Sequence, residues 1–276
     1  MNRLFMAEGI PGSGKTTFAR KLTEQIKNSN SEVTLYTEGD LHPTDMAWCA
    51  FLTKEEFQTL CILHPDLTGQ LEENKKEWND HIILAYTKIP NLDSQLFSYL
   101  ESKEIYDGRV DTETFCELNK DRFKQFGTTA TGITIFECAL LQNSINELLL
   151  FHNMKEEELT VYIQSLLKGV AMQNPIIIYL DVDVKSAIER AARERIDENG
   201  NFAWENRIIE YISSSPYGVK NGLHGIKGLY EYFETRKQLE LSILEHLPVK
   251  QYRIQFDLNN QEEAVRDAIV KLCNTY

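Results

Sequence analysis

The sequence has no long hydrophobic run and carries far fewer basic than acidic side chains. Its longest apolar stretches are short pieces such as IIIYL at 176–180, far below the ~20 residues that a membrane-spanning helix needs. Lysine and arginine together number 29 against 42 aspartates and glutamates, which gives a formal net charge of −13. Because binding along nucleic acid requires a basic surface, this balance disfavours a nucleic-acid partner and favours a small-molecule ligand.

Cysteine motifs are absent as well. The five cysteines contain no CxxC pair and no metal-type spacing with histidine, so we predict reduced thiols that pack as small hydrophobic side chains. The first residues, MNRLFMAEG, lack the apolar core and the cleavage site of a secretion signal. We therefore expect a cytoplasmic protein without a membrane segment. With 42% hydrophobic residues, the chain can bury a sizeable core.

Five short segments rich in apolar and β-branched residues predict strands. The first precedes residue 9, and the others lie at 33–39, 132–137, 175–182 and 252–258. Helix-like patterns follow four of them, which is typical of βαβ units. The sequence therefore predicts an α/β fold in which helices cover both faces of a parallel sheet, with residues 1–276 forming a single domain.

Roughly 90 residues separate the second predicted strand from the third. Residues 41–130 are dense in helix formers, with stretches such as KEEFQTLCIL and LEENKKEWNDHIIL, and we find no strand pattern in them. We expect a helical insertion on the acceptor side, lying over the ligand-binding edge of the sheet. Later in the chain, the Gly- and Ser-rich stretch 213–236 predicts a mobile loop that leads into a helix from Tyr230.

The strongest functional signal is GIPGSGKT at 9–16, which satisfies the pattern G-x-x-x-x-G-K-[ST]. Glycines permit backbone conformations in which successive N–H groups point at phosphate oxygens. Lys15 would supply a cation for the phosphates, and Thr16 would offer a hydroxyl to Mg²⁺ at a helix N-terminus. We expect Lys15 to be exposed to phosphate rather than packed in the core. The predicted phosphate-binding residues are Gly9, Pro11, Gly12, Ser13, Gly14, Lys15, Thr16 and Thr17.

The segment GIPGSGKTT, placed between a predicted strand and a predicted helix, resembles the phosphate loop of the P-loop kinases. This group includes nucleoside and nucleotide monophosphate kinases and shikimate kinase. The resemblance covers the sheet strands and the C-terminal half of the chain, but not residues 41–130. It implies a three-layer fold with a five-stranded parallel sheet in the order 2-3-1-4-5. It also implies ATP as the phosphoryl donor and an acceptor bound above the C-terminal edge of the sheet.

The stretch YTEGDLHPTD at 36–45 resembles the end of the second strand in deoxynucleoside kinases, where a glutamate acts as base toward the acceptor hydroxyl. The proline that follows that glutamate is missing here, so either Glu38 or Asp40 could orient the attacking hydroxyl. His42 is a neighbouring candidate for substrate binding. A solvated turn, or an aspartate that caps a helix, would explain any one of these residues without a catalytic role.

Glu137 ends the third predicted strand, where P-loop kinases carry an acid, usually an aspartate, beside the triphosphate. The resemblance implies that this carboxylate, together with Thr16, holds Mg²⁺ or assists catalysis directly. A buried carboxylate needs a partner, so a salt bridge with a purely structural role is the alternative. Gln142 follows on the next predicted helix and is a candidate to contact the acceptor.

The stretch LDVDVKSAIERAARERIDENG at 180–200 resembles the region in which similar kinases carry lid arginines over the phosphates. We predict that residues 187–228 form a lid or mobile region. Arg193 and Arg195 are the catalytic candidates, and Arg190 is predicted to bind ATP, because a guanidinium pairs with phosphoryl oxygens in two places. Glutamates spaced to form ordinary surface ion pairs offer an alternative for Arg190 and Arg193. Arg109, in Asp107-Gly108-Arg109, resembles the acceptor-side arginine of deoxynucleoside kinases.

These features predict an ATP-dependent kinase that requires Mg²⁺ and acts on a small-molecule phosphoryl acceptor, such as a nucleoside or another hydroxylated metabolite. The alternative is a P-loop ATPase that acts as a nucleotide-dependent switch, in which residues 41–130 bind a partner. The arginine-bearing helix favours the kinase. The sequence leaves the identity of the acceptor and the formation of a homodimer open.

Overall fold

The structure is a computed structural model that describes residues 3–29, 31–257 and 260–273. It combines a parallel sheet, a smaller antiparallel sheet and surrounding helices. Short 3₁₀ helices lie at Tyr86–Lys88 and Ala171–Gln173. In chain order the elements are β1 (Arg3–Glu8), α1 (Lys15–Asn28), β2 (Val33–Tyr36), β3 (Ala50–Thr53), α2 (Lys54–Leu63), α3 (Thr68–Glu73), β4 (Lys75–Trp78), β5 (His81–Leu84), α4 (Ser94–Glu101), α5 (Thr112–Thr129), β6 (Ile133–Glu137), α6 (Gln142–Leu150), α7 (Glu156–Gly169), β7 (Pro175–Asp181), α8 (Val184–Arg193), α9 (Ala203–Ser214), α10 (Pro216–Asn221), α11 (Gly225–Glu245), β8 (Lys250–Gln255) and α12 (Gln261–Cys273).

The main sheet has five strands in the order β2-β6-β1-β7-β8, and all neighbouring strands are parallel. The predicted α/β class and five-stranded parallel sheet are therefore confirmed. Because the strands are parallel, their carboxyl ends meet at one edge, which is where open α/β sheets bind ligands. The last strand begins two residues earlier than the predicted 252–258, and Leu258 lies outside the described residues.

Side-chain alternation along the central strands gives the sheet two buried faces. Leu4 and Met6 of β1 pack in a large cluster with helices α5, α6, α7 and α11. Phe5 and Ala7 of the same strand pack on the opposite face against α1 and α12. Every residue of β7 is buried, which explains why its sequence is an almost continuous apolar run. Among the described residues, the helices are too short or too polar to cross a membrane.

The insertion at 41–130 is not purely helical, so that expectation is wrong. It contains a three-stranded antiparallel sheet in the order β3-β5-β4. Strands β4 and β5 form a hairpin in which Trp78 pairs with His81 across Asn79 and Asp80, and Asn79 has a φ of 50°. Asparagine tolerates this left-handed backbone conformation better than most residues. The apolar spacing of LEENKKEWNDHIIL fits a helix equally well, and that spacing concealed the turn.

This part of the insertion has its own apolar cluster. Leu60 of α2, Leu71 of α3, Leu84 of β5 and Leu100 of α4 are buried together there, separate from the two clusters of the main sheet. Helix α2 begins with a capping box between Thr53 and Glu56. The assignment of the whole chain to one domain stays a prediction.

The stretch 213–236 is helical in the structure, so the prediction of a mobile loop is wrong for most of it. Helix α9 extends to Ser214, α10 begins directly with Pro216 at its first turn, and α11 begins at Gly225. Proline at the first helical position and Gly222 after the last one are normal helix boundaries. The glycines and serines of this region mark helix ends rather than an open loop.

Two leucines of α2 provide a matched test of the insertion's own core. Leu60 is 5% exposed and Leu63 is 66% exposed. Leu60→Ala should lower the free energy of unfolding by about 2–5 kcal/mol because it leaves a cavity. Leu63→Ala should change it by less than about 0.5 kcal/mol. Urea unfolding of both variants measures the difference, and equal effects would contradict a packed core in this region.

Candidate active site

The loop between β1 and α1 packs closely against α8 and α12. Gly12 has a φ of 76°, and a Cβ atom there would lie 1.9 Å from the carbonyl oxygen of Ala187 in α8. Gly14 has a φ of 91°, and a Cβ atom there would lie 2.0 Å from Nε2 of Gln261 in α12. Both positions therefore require glycine. The loop is held between α8 and α12, at the edge of the sheet where β1 ends.

Lys15 is buried against the phosphate loop rather than open to solvent. Its Nζ atom donates hydrogen bonds to the carbonyl oxygens of Gly9 and Ile10, both at 2.9 Å. A buried ammonium group needs such partners, and the loop carbonyls provide them. The side chain still lines the cavity described below.

Thr16 and Glu137 meet beside the loop. The Thr16 hydroxyl donates a hydrogen bond to the Glu137 carboxylate, which lies beside β1 because Glu137 pairs with Ala7 in the sheet register. Burial raises the pKa of Glu137, while the Thr16 hydrogen bond and the charge of Lys15 lower it. The contact is a hydroxyl–carboxylate hydrogen bond rather than the salt bridge considered from the sequence.

Hydroxyl and carboxylate oxygens are ligands that Mg²⁺ accepts, so Thr16 and Glu137 fit this ion chemically. Within residues 3–29, 31–257 and 260–273, no three histidine, cysteine or acidic side chains form a group able to hold a metal. Mg²⁺ bound here would therefore complete its coordination with water and substrate phosphates, as it commonly does in phosphate sites.

A cavity of about 260 Å³ opens over the loop. Among its lining side chains, four are cationic and three are acidic. The cations reach it from α1, from α8 and the segment just after it, and from α11. Pro11, Gly12, Gly14 and Thr17 also line it, whereas Gly9 and Ser13 are buried behind it. The charged lining residues are Lys15, Arg190, Arg195, Arg236, Glu38, Glu137 and Glu194. We call this the phosphate cavity.

Two of the three arginines predicted from α8 and its following residues line the phosphate cavity. Arg190 donates from Nε to Glu194 at 2.7 Å and from Nη1 to Gln261 at 2.5 Å. Arg195 lies with its guanidinium 5.2 Å from the centre of the Trp204 ring. Arg193 is exposed outside the cavity, and its Nε donates to the carbonyl oxygen of Glu189. The geometry therefore does not support a catalytic role for Arg193.

Glu38 and Asp40 differ in their position relative to the phosphate cavity. Asp40 accepts hydrogen bonds from the amide and the hydroxyl of Thr37, at 2.7 and 2.9 Å, and thereby closes a turn. Asp40 lines neither the phosphate cavity nor the second cavity described below. Glu38 is exposed and lines the phosphate cavity. Of the two candidates for the base, the structure therefore brings Glu38 to the site and gives Asp40 a structural contact.

His42 is also structural. It is buried, its Nδ1 accepts hydrogen bonds from the amides of Thr44 and Asp45, and its ring packs 4.3 Å from that of Phe136. Burial, reinforced by the charge of Arg122, lowers the pKa of His42 well below its ordinary value. The predicted substrate contact of His42 is not supported, because the neutral ring is part of the core.

A second cavity, of about 600 Å³, adjoins the phosphate cavity. The two share Glu38, Asn143, Asn146, Ile208 and Tyr211. The insertion contributes one wall, and α6 and α9 contribute the other. The remaining lining residues are Ala47, Trp48, Phe97, Glu101, Glu104, Tyr106, Asp107, Arg109, Glu147 and Arg207. We call it the acceptor cavity, and its aromatic and acidic lining is suited to a polar ring-containing molecule.

Arg109 lines the acceptor cavity, and a buried glutamate shapes its turn. Asp107 and Gly108 have φ values of 70° and 69°, and their amides donate to Glu147 at 2.7 and 2.9 Å. Nη2 of Arg109 lies 3.4 Å from the Asp107 carboxylate. Gln142, by contrast, lines the phosphate cavity rather than the acceptor cavity, and its buried Oε1 has no hydrogen-bond partner in the described part of the chain.

Sequence reasoning missed Glu8, which is fully buried at the end of β1. Its carboxylate accepts hydrogen bonds from the amides of Leu140, Leu141 and Gln142, at 2.9, 3.2 and 3.3 Å, and so caps the start of α6. Burial, with a smaller contribution from the nearby Glu240 carboxylate, raises the pKa of Glu8 to about 7. An acid that ends the apolar strand RLFMAE directly before the loop was the available signal.

Arg236 and Glu147 were also missed. Each lies within a helix, and each is buried. Surface ion pairs are the usual explanation of charged residues in such helices, so the sequence alone offered no reason to single these two out.

A comparison of the chain with protein-family models finds no match, and a comparison with curated proteins finds no similar sequence. Function must therefore be inferred from the loop, the two cavities and the residues that line them.

The raised pKa of Glu8 predicts that the stability of the fold depends on pH. The unfolded chain releases this proton near the ordinary value of 4.5, whereas the folded chain keeps it up to about pH 7. The free energy of unfolding of the wild type should therefore fall as the pH rises from 4.5 to 7. The variant Glu8→Gln has no proton to release, so its free energy of unfolding should lack this fall. Urea unfolding across this range measures it. The exposed Glu24→Gln is the matched control and should follow the wild type, and identical profiles for all three proteins would contradict the assignment.

Proposed function

We propose that this chain is an ATP-dependent phosphotransferase of the P-loop kinase type, acting on a small molecule that carries a hydroxyl group. The observation that carries the proposal is the convergence of Lys15, Thr16, Glu137 and Glu38 on one connected pair of cavities. The loop that satisfies the phosphate-binding pattern lies at the floor of the smaller cavity. The order of the five parallel strands, β2-β6-β1-β7-β8, agrees with the order that the resemblance to these kinases implies.

The phosphate cavity suits the donor. Loop amides, the start of α1 and the cations Lys15, Arg190 and Arg195 favour a polyanion there. On binding, Nζ of Lys15 would exchange its two carbonyl partners for phosphate oxygens. Thr16 and Glu137 would hold Mg²⁺, which neutralises phosphate charge when bound.

The acceptor cavity suits the second substrate. Glu38 lies at the boundary between the two cavities, where its carboxylate can accept the proton of an acceptor hydroxyl and align the hydroxyl oxygen with the terminal phosphate. Arg109 and the aromatic side chains would position the rest of the molecule. A nucleoside or another hydroxylated metabolite fits this lining.

The acceptor cavity also distinguishes the proposal from a nucleotide-dependent switch. A switch needs no second cavity joined to its phosphate site, whereas phosphoryl transfer to a small molecule does. The cytoplasmic location stays a prediction from the sequence. The formation of a homodimer stays open.

The experiment that tests the function measures ATP binding and ATP consumption in the presence of Mg²⁺, with a panel of nucleosides, sugars and amino sugars as acceptors. The wild type should consume ATP faster with at least one of them. Lys15→Ala should lower turnover at least about a hundredfold, because the cation that faces the phosphates is lost. Lys21→Ala removes a more exposed lysine of the same helix and should retain normal turnover. Full activity of Lys15→Ala would refute the proposal.

Glu38 and Asp40 form a second matched pair. Glu38→Gln keeps the size of the side chain but cannot accept the proton, so turnover with the active acceptor should fall about a hundredfold or more. Asp40→Asn should leave turnover within a small factor of the wild type, because Asp40 holds a turn outside the cavities. Steady-state kinetics at saturating ATP measures both, and the reverse ranking would identify Asp40 as the base.

A further inference from the structure

The guanidinium group of Arg236 is buried in the wall of the phosphate cavity, and one of its nitrogens has no partner. The residue is 1% exposed and lines the cavity together with Lys15 and Thr16. Nε donates to Glu240 at 2.7 Å, and Nη1 donates to Oδ1 of Asn146 at 3.3 Å. Within the described residues, Nη2 donates to no acceptor.

An unpartnered donor of this kind is costly. Buried polar groups are nearly always hydrogen-bonded, and the penalty is larger for a charged group than for a neutral one. If Arg236 only formed an internal ion pair with Glu240, a carbonyl or hydroxyl oxygen would be expected at Nη2. The free donor is instead part of a residue that borders the cavity over the loop.

The surroundings hold the guanidinium in one orientation. Glu240 binds it on one side and is itself fixed by the hydroxyl of Tyr179, which donates at 2.7 Å. Asn146 binds it on the other side and also accepts a hydrogen bond from the hydroxyl of Tyr232. The planar group is therefore positioned before any ligand arrives, which is the condition under which a donor stabilises developing charge most strongly.

The location of Asn146 shows which part of the ligand Arg236 would meet. Asn146 lines both the phosphate cavity and the acceptor cavity. Its partner Arg236 therefore lies near the boundary that a phosphoryl group must cross on its way from donor to acceptor. Arg190 and Arg195 differ from Arg236. Arg190 is already paired with Glu194 and Gln261, and Arg195 is exposed.

We infer that Arg236 is a catalytic residue that donates from Nη2 to the phosphoryl group being transferred, an inference that rests on the proposed function. In the transfer, the bond between the terminal phosphorus and its bridging oxygen breaks, and a bond from the acceptor oxygen to phosphorus forms. The acceptor proton passes to Glu38, and ADP leaves with the bond electrons. Arg236 exchanges no proton and stabilises the negative charge on the phosphoryl oxygens.

The test compares two nucleotides that differ in the terminal phosphate. Calorimetry measures the affinities for ADP and for the non-hydrolysable β,γ-imido analogue of ATP, both with Mg²⁺, in the wild type and in Arg236→Lys. Lysine keeps the positive charge beside Glu240 but lacks Nη2. Affinity for the analogue should fall about tenfold or more, while affinity for ADP should change less than about twofold. Arg193→Lys, at an exposed arginine outside the cavity, should change neither.

Equal losses for the two nucleotides, or no loss for either, would overturn the inference and leave Arg236 with a structural role. If the wild type binds neither nucleotide, the proposed function itself fails, which is a distinguishable outcome. If Arg236→Lys does not fold, a crystal structure of the wild type with ADP, Mg²⁺ and aluminium fluoride decides. Nη2 should then lie within hydrogen-bond distance of a fluoride, and a fluoride bound without this contact would overturn the inference.

Discussion

The hydrogen bonds from the start of α6 to the buried carboxylate of Glu8 are the interaction on which the arrangement of the site depends. They join the end of β1, where the loop begins, to the helix that lines both cavities. The first amides of a helix have no partners within it, and the Glu8 carboxylate accepts from the first of them, that of Gln142, and from the amides of the two residues before the helix. The loop and α6 are therefore fixed relative to each other by a contact that water does not reach.

Helix α6 then organises segments that are far apart in the sequence. Asn143 donates to Asp45 at 2.9 Å and so holds the segment that follows Glu38. Asn146 binds Arg236 from α11, and Glu147 binds the turn that presents Arg109. Each of these contacts involves a residue of the same short helix, so α6 forms a wall that the two cavities share.

The sequence predicted the parts of the structure that depend on local patterns. The loop at 9–16 and the apolar strands follow from glycine spacing and β-branched runs, and the resemblance to P-loop kinases implied the approach of Thr16 and Glu137. It could not separate Glu38 from Asp40 or Arg190 from Arg193, because those differences depend on which way a turn or a helix end faces after packing. The hairpin at 75–84 was missed because its apolar residues also fit a helical period.

The part of the insertion formed by β3, β4, β5 and helices α2 to α4 has a hydrophobic cluster separate from those of the parallel sheet, and its neighbouring residues form one wall of the acceptor cavity. This separation has an evolutionary consequence. Substitutions of residues that line the acceptor cavity, such as Trp48 and Phe97, can accumulate without repacking the strands that carry the loop. The shape of the larger cavity can therefore change while the loop and its supporting helices stay unchanged.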